Sequence, residues 1–197
     1  MEPATKNQEN NDPIDEIVES RMPFDESERD ALIEIYKNCG GSDWKKNGRW
    51  LTNPEPNTWF GVVIEEGKVT RLMLPNNGLK GELPDVFAAL PYLKVLYLNG
   101  NSLSGCIPVS IGGLSKLECL DVSKNQLVGN IPRSLGGLFS LKRMLLDHNH
   151  LEGDVPSTLG CLSNLKWVDF RNNNFEDALP GFLDFIPVRR PSQAIKF

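Results

Sequence analysis

Asparagine returns every 24 residues along most of this chain, at Asn77, Asn101, Asn125, Asn149 and Asn173. Pro84, Pro108, Pro132, Pro156 and Pro180 keep the same step, and so do Gly81, Gly105, Gly129 and Gly153, with Asp177 in the fifth glycine position. Apolar columns run in phase with them: Leu72, Leu96, Leu120, Met144 and Val168; Leu74, Leu98, Val122, Leu146 and Phe170; Leu79, Leu103, Leu127, Leu151 and Phe175. A unit this short cannot bury its apolar side alone, so successive units must stack into a solenoid in which each contacts its neighbours. The LxL stretch in each unit alternates with period two and predicts a short strand whose two leucines point inward and whose flanking residues point outward. Parallel strands from successive coils then make one sheet on the inner, concave face. At the Asn column the chain turns away from the strand and its backbone groups need partners. A buried amide can both donate to and accept from them.

The full pattern, LxxLxLxxNxLxGxIPxxLxxLxx, resembles the leucine-rich repeat, and its GxIP element resembles the plant-type class; the match runs over residues 69–187. The resemblance implies an α/β solenoid: a curved, right-handed superhelix with a parallel concave β-sheet, a helical or 3-10 convex side and an N-terminal helical cap. It also implies a second short strand at GxIP beside the concave sheet.

An open stack needs a cap, and residues 24–68 supply the candidate. Residues 25–41 read as an amphipathic helix, with Asp25 as N-cap, Glu28 three residues on as its capping-box partner, Leu32, Ile35 and Tyr36 on one face, and Gly40-Gly41 as the stop. Trp44, Trp50 and Trp59 follow; core packing over the first coil is preferred to carbohydrate stacking for them. The stretch GSDWKKNGRWLTNPEPNTWFGVVIEEGKVTRLML, most specifically Trp59-Phe60-Gly61-Val62, resembles the cap of plant-type repeat proteins. Those include extracellular receptor kinases, their five-repeat co-receptors and polygalacturonase-inhibiting proteins. In secreted members two cysteines bracket this motif as a disulfide, where this chain has Asn57 and Ile64.

The four cysteines, Cys39, Cys106, Cys119 and Cys161, are scattered through the repeat and read as free thiols. There is no Asn-x-Ser/Thr sequon, and MEPATKNQENNDPIDEIVESRMP has neither a basic start nor an apolar segment. Together these predict a cytoplasmic protein, or an extracellular one if the chain is a trimmed fragment. Net charge is −5, but residues 1–30 carry ten acidic and three basic side chains while the remainder holds 16 and 18. Residues 1–23 read as an acidic, disordered, solvated leader, and residues 188–197 as a loose tail after Phe182, Phe185 and Ile186 close the last coil. With no basic stripe and no spanning apolar run, neither nucleic-acid binding nor membrane insertion is expected.

Repeat columns are scaffold, so function belongs to the outward positions between them. Tyr97, Asp121, Leu145 and Asp169 fall in one column, with Arg143 and Trp167 in the next; Lys124, Asp147, His148, His150 and Arg171 complete the expected concave surface, and Ser123 is outward in coil three by the same register. Exposed Tyr, Trp and Arg among charged neighbours is the composition of an interface hot region. The expectation is a monomeric, non-catalytic scaffold or regulator that binds another protein, needing no cofactor and no metal. The alternative is an extracellular ligand-recognition module, of co-receptor or glycanase-inhibitor type. A metal-dependent enzyme built on Asp147, His148 and His150 is disfavoured: adjacent residues on an extended strand face opposite ways, and zinc wants three or four ligands. No GxSxG, GxxxxGK or HExxH motif is present.

Overall fold

The computed structural model describes residues 24–175 and 181. The leader 1–23, the C-terminal closure by Phe182, Phe185 and Ile186, and the tail lie outside the described residues. The chain opens with helix α1 (Glu26–Asn38), followed by strands β1 (Val62–Glu65) and β2 (Lys68–Met73). From there it alternates between two kinds of strand. One kind, β4 (Val95–Tyr97), β6 (Cys119–Asp121), β8 (Arg143–Leu145) and β10 (Trp167–Asp169), joins β1 and β2 in a six-stranded sheet of order β1-β2-β4-β6-β8-β10. Every pair in it is parallel except β1 with β2. The other kind lies beside it: β3 (Lys80–Glu82) pairs with β5 (Ser102–Ser104), while β7 (Val128–Gly129), β9 (His150–Gly153) and β11 (Asn174–Phe175) form a three-stranded row. The opposite, convex side is made of short 3-10 turns at Phe87–Ala89, Val109–Gly113, Arg133–Gly137 and Ser157–Cys161.

Leucines at 24-residue steps fill the space between these sides. Leu72, Leu96, Leu120 and Met144 from the sheet meet Phe87, Ile111, Leu135 and Leu159 from the turns, all with essentially no exposure. Burying each such side chain stabilises the stack by about 1.5–3 kcal/mol relative to leaving it in water. Polar ladders register the coils as firmly as the apolar ones. Asn125 Nδ2 donates to Leu98 O at 3.1 Å and Val122 O at 3.0 Å, and its Oδ1 accepts from Leu103 N–H at 3.0 Å. Asn101, Asn149 and Asn173 repeat this arrangement. A weaker ladder of hydroxyls and amides ties the convex turns: Ser134 to Val109 O, Ser140 to Ser115 O, Thr158 to Arg133 O and Asn164 to Phe139 O.

The cap closes the N-terminal end by continuing the same devices. Asn77, the first rung, accepts Lys46 N–H at 2.8 Å and donates to Lys46 O at 3.0 Å, so the ladder bonds cap and solenoid together. Above it Tyr36 stacks on Trp50 (5.5 Å between centroids), Trp44 meets Trp50 edge-on (5.1 Å) and Trp59 tilts against it (4.8 Å). Each indole N–H has a backbone acceptor: Trp44 on Cys39 O, Trp50 on Phe60 O, Trp59 on Asn53 O. Asp25 caps α1 through Ser27, and these bonds, with Lys68 alongside, lower its carboxyl to about 2. Glu28 does not close a capping box. Its carboxylate crosses to β2, accepts Val69 N–H at 2.6 Å and lies 3.4 Å from Lys68 Nζ, so it fastens helix to sheet.

The structure has all four thiols free. Cys39 terminates α1 without exposure, and burial pushes its thiol up to about 12; Cys106 and Cys161 are exposed, and Cys119 is partly so.

Two expectations follow. Asn125→Ala orphans buried carbonyls and an amide, at roughly 1–3 kcal/mol for each group, and lowers unfolding free energy by about 2–4 kcal/mol in urea titration; Gln126→Ala, at an exposed site, changes it by less than about 0.5 kcal/mol. Under native conditions a thiol reagent modifies Cys106 and Cys161 rapidly, while Cys39 reacts only after denaturation; peptide mapping of the labelled sites distinguishes them.

Candidate protein-recognition face

Strand register decides which side chains share the sheet face. Arg71, Val95, Cys119, Arg143 and Trp167 stand opposite one another on successive strands, and so do Met73, Tyr97, Asp121, Leu145 and Asp169. The residue between each pair points into the core. Tyr97, Asp121, Leu145, Trp167 and Asp169 are half-buried and Arg143 is exposed. This brings one Tyr–Asp–Leu–Asp row beside an Arg–Trp pair. Partial burial, with the Cys119 thiol beside it, raises the Tyr97 phenol above its ordinary value, so the ring presents a neutral hydroxyl.

The strands end early, and that alters the remaining positions. Asn76, Gly100, Lys124, His148 and Asn172, again 24 apart, all take the left-handed conformation, with φ of 51°, 70°, 54°, 54° and 55°. In coils three and four the residue before the bend is tucked inward. Ser123 and Asp147, expected on the outer face, are instead buried at 5% and 8% exposure. Asp121 accepts the Ser123 hydroxyl at 2.7 Å, and Asp169 grips the Arg171 guanidinium at 2.6–3.1 Å, which raises the Arg171 pKa; the Asp147 charge adds to that shift. The bend also undoes the strand argument that Asp147 and His148 diverge. His148 Nδ1 lies 2.8 Å from Asp147 Oδ2, and its Nε2 lies 2.7 Å from Asn172 Nδ2 on the next coil. Lys124 and His148 therefore stand at the rim of the sheet face. His150 starts β9 and lies on the lateral row, not on the concave face where it was expected. The bend column was visible as spacing, and Asn76, Gly100, His148 and Asn172 are types that tolerate positive φ; Lys124 hid it. Among the described residues no three His, Cys, Asp or Glu side chains converge as a metal site would require.

Leucine-rich repeat family models match residues 67–127 and 140–162. The coil geometry and these matches agree. The chain carries leucine-rich repeats of the plant type. It is similar to the ectodomain of the receptor kinase SOBIR1 from Arabidopsis thaliana, with 29% identity and TM-score 0.73 over 85% of this chain and 91% of that one. It is similar also to the BIR3–SERK2 complex from the same plant, with 28% identity and TM-score 0.67 over 78% of this chain and 85% of the other. A probable inactive receptor kinase of Arabidopsis thaliana is 32% identical over 74 residues, and the matched part is 37% of this chain but 11% of that relative. A leucine-rich repeat domain of this kind is a protein-binding scaffold or ligand-recognition module.

The neighbours overturn the expected cytoplasmic location: the structures it resembles include receptor-kinase ectodomains, which points outside the cell. The cap shows why the missing cysteines misled. With Tyr36, Trp44, Trp50 and Trp59 packed ring on ring and every indole bonded, Asn57 and Ile64 can stand where the staple would be, so its loss does not report a reducing compartment.

The bend column is open to test. At Gly100 a side chain would strike Asn76 Oδ1 as well as require positive φ. Gly100→Val is expected to lose about 2–4 kcal/mol, whereas Lys124→Gly, which relieves the same backbone strain, moves stability upward by less than about 1 kcal/mol; thermal and urea unfolding of the two variants give the comparison.

Proposed function

We propose that this protein recognises another protein outside the cell through its sheet face, as a monomeric module with no catalysis of its own. The observation that carries the reading is the registered pair of columns, Tyr97-Asp121-Leu145-Asp169 beside Arg143-Trp167. These side chains stand on strands locked by the Asn ladder, so little ordering free energy is lost when a partner lands on them. Aromatic and arginine residues with charges at their margin make up interface hot regions. Asp147 contributes from beneath, holding His148 in place, and Lys124, His148 and Arg171 form the rim. Support for a protein as partner comes from the resemblance to a chain of the BIR3–SERK2 complex, an assembly of two proteins. The alternating signs across the columns favour a partner surface that is itself mixed in charge rather than uniformly acidic or basic.

The test is quantitative capture from native cell-surface extract, with bound proteins identified by mass spectrometry. The double variant Arg143→Glu/Trp167→Ala is expected to lose its specific partners by about 30-fold or more, the effect of removing one hot spot of about 2 kcal/mol. The lateral variant His150→Ala retains them. If the double variant keeps every partner at wild-type yield, the sheet face is not the recognition surface.

A further inference from the structure

We propose that the acidic segment Asp12–Glu19 folds back on its own solenoid and docks on a lysine-and-aromatic strip along the edge where the sheet strands begin. The strip is built by the 24-residue step. Lys94, Glu118, Lys142 and Lys166 immediately precede the strands and are joined coil to coil by backbone bonds, Glu118 N–H to Lys94 O, Lys142 N–H to Glu118 O and Lys166 N–H to Lys142 O, each 2.8 Å. Two residues earlier in each coil stand Lys68, Tyr92, Lys116, Ser140 and Asn164. Tyr92 is 47% exposed, and Phe139, in the turn that Asn164 binds, is 60% exposed.

Part of this charge is already answered. Glu65 lies 2.9 Å from Lys94, and Glu118 lies 2.7 Å from Lys142. Lys116 and Lys166 have no ion-pair partner among the described residues. Two lysines and two exposed aromatic rings therefore remain for an occupant that is acidic and apolar together.

The chain carries such an occupant and delivers it to the right place. Asp12–Glu19 reads DPIDEIVE: four carboxylates, no base, and Ile14, Ile17 and Val18 spaced as one face of a helical turn. Its connection to the fold ends at the strip. Asp25 Oδ2 is 3.2 Å from Lys68 Nζ, and that same ammonium sits 5.5 Å from the Tyr92 ring centre. The five residues between Glu19 and Asp25 can extend about 3.3–3.6 Å each, roughly 17 Å in all. Four strand spacings of about 4.8 Å carry the strip from the Lys68 coil to the Lys166 coil, roughly 19 Å. The segment itself adds the remaining reach. Isolated exposed ion pairs are weak, but a short tether holds the two surfaces at an effective concentration of about millimolar, which lets several weak contacts add up. The solvated leader expected from composition alone thereby gains a seat, and the docking does not depend on the reading of the sheet face.

Zero-length carbodiimide crosslinking of the whole chain, followed by peptide mapping, tests this. At about 10 mM salt, amide crosslinks are expected from Asp15, Glu16 or Glu19 to Lys116 or Lys166, falling about tenfold at about 1 M salt, where screening acts within roughly 3 Å. Lys116→Glu/Lys166→Glu abolishes them, and adding Asp15→Lys/Glu16→Lys/Glu19→Lys to that variant restores crosslinks with the polarity exchanged. Since all five sites lie on the surface or in the leader, circular dichroism should match wild type and show that each variant is folded. Absence of these crosslinks in the wild type, their persistence after charge reversal, or their placement elsewhere overturns the proposal. So does a mixture of isotope-labelled and unlabelled chains that yields mixed-isotope crosslinks, since the occupant is then a second copy.

Discussion

The amide of one asparagine per coil is the contact on which the rest of the structure depends. Each coil must leave the sheet and turn, and the turn strips backbone N–H and C=O groups of sheet partners in a place closed to water. One side chain with both donor and acceptor resolves this. Asn125 bonds Val122 O within its own coil, and Leu98 O and Leu103 N–H in the coil before. A hydrophobic residue there would leave those groups orphaned; a charged one could not both donate and accept. The spacing of the coils is therefore set by hydrogen bonds, and leucine packing fills the volume that the spacing defines. The first rung extends the same logic to the cap, where Asn77 holds Lys46 by both its N–H and its C=O.

Because the ladder fixes coil height, every other column inherits its register. Side chains 24 apart stand opposite on the sheet, and main-chain bonds of the same period tie the segments that precede the strands. This makes the outward sheet positions a rigid grid. Their occupants are free to differ because no backbone group relies on them. The bend column is intermediate: its backbone is constrained to positive φ in all five coils, yet its side chains range from Gly100 to Lys124 and His148. A solenoid thus separates shape, carried by Asn and Leu, from recognition chemistry, carried by what lies between.

That separation governs what the sequence disclosed. The period, the α/β solenoid and the alternation along each LxL strand were legible because each is stated several times over. What occurs once was not. The reach of Glu28 to Val69 depends on where a helix packs on a strand, not on the capping spacing it also satisfies. Ser123 and Asp147 looked outward because period two was continued past Asp121 and Leu145, where the strands stop. His150 was carried along by the same extension, although the chain has by then entered the lateral row. The compartment was misread for a different reason: missing cysteines and sequons are absences, and the aromatic cluster that fills the cap satisfies the same mechanical need as a disulfide.

The Asp-His-x-His stretch in coil four, which first suggests catalysis, shows how the two roles meet. As placed, Asn172 Nδ2 can only donate, so His148 Nε2 must accept, and Nδ1–H must then donate to Asp147. The imidazole is held between two coils, with one ring nitrogen against a carboxylate and the other against an amide. Both ring nitrogens are thus engaged within the protein. What the ring retains is an edge at the rim of the sheet face, fixed in one orientation by a buried carboxylate beneath and an amide beside. Arg171, clamped on Asp169 one coil further, is immobilised in the same way. Both are long or rotatable side chains whose freedom is surrendered on folding rather than on association. Under the proposed recognition by the sheet face, a partner would meet groups already in position, so little of their ordering cost would fall on association.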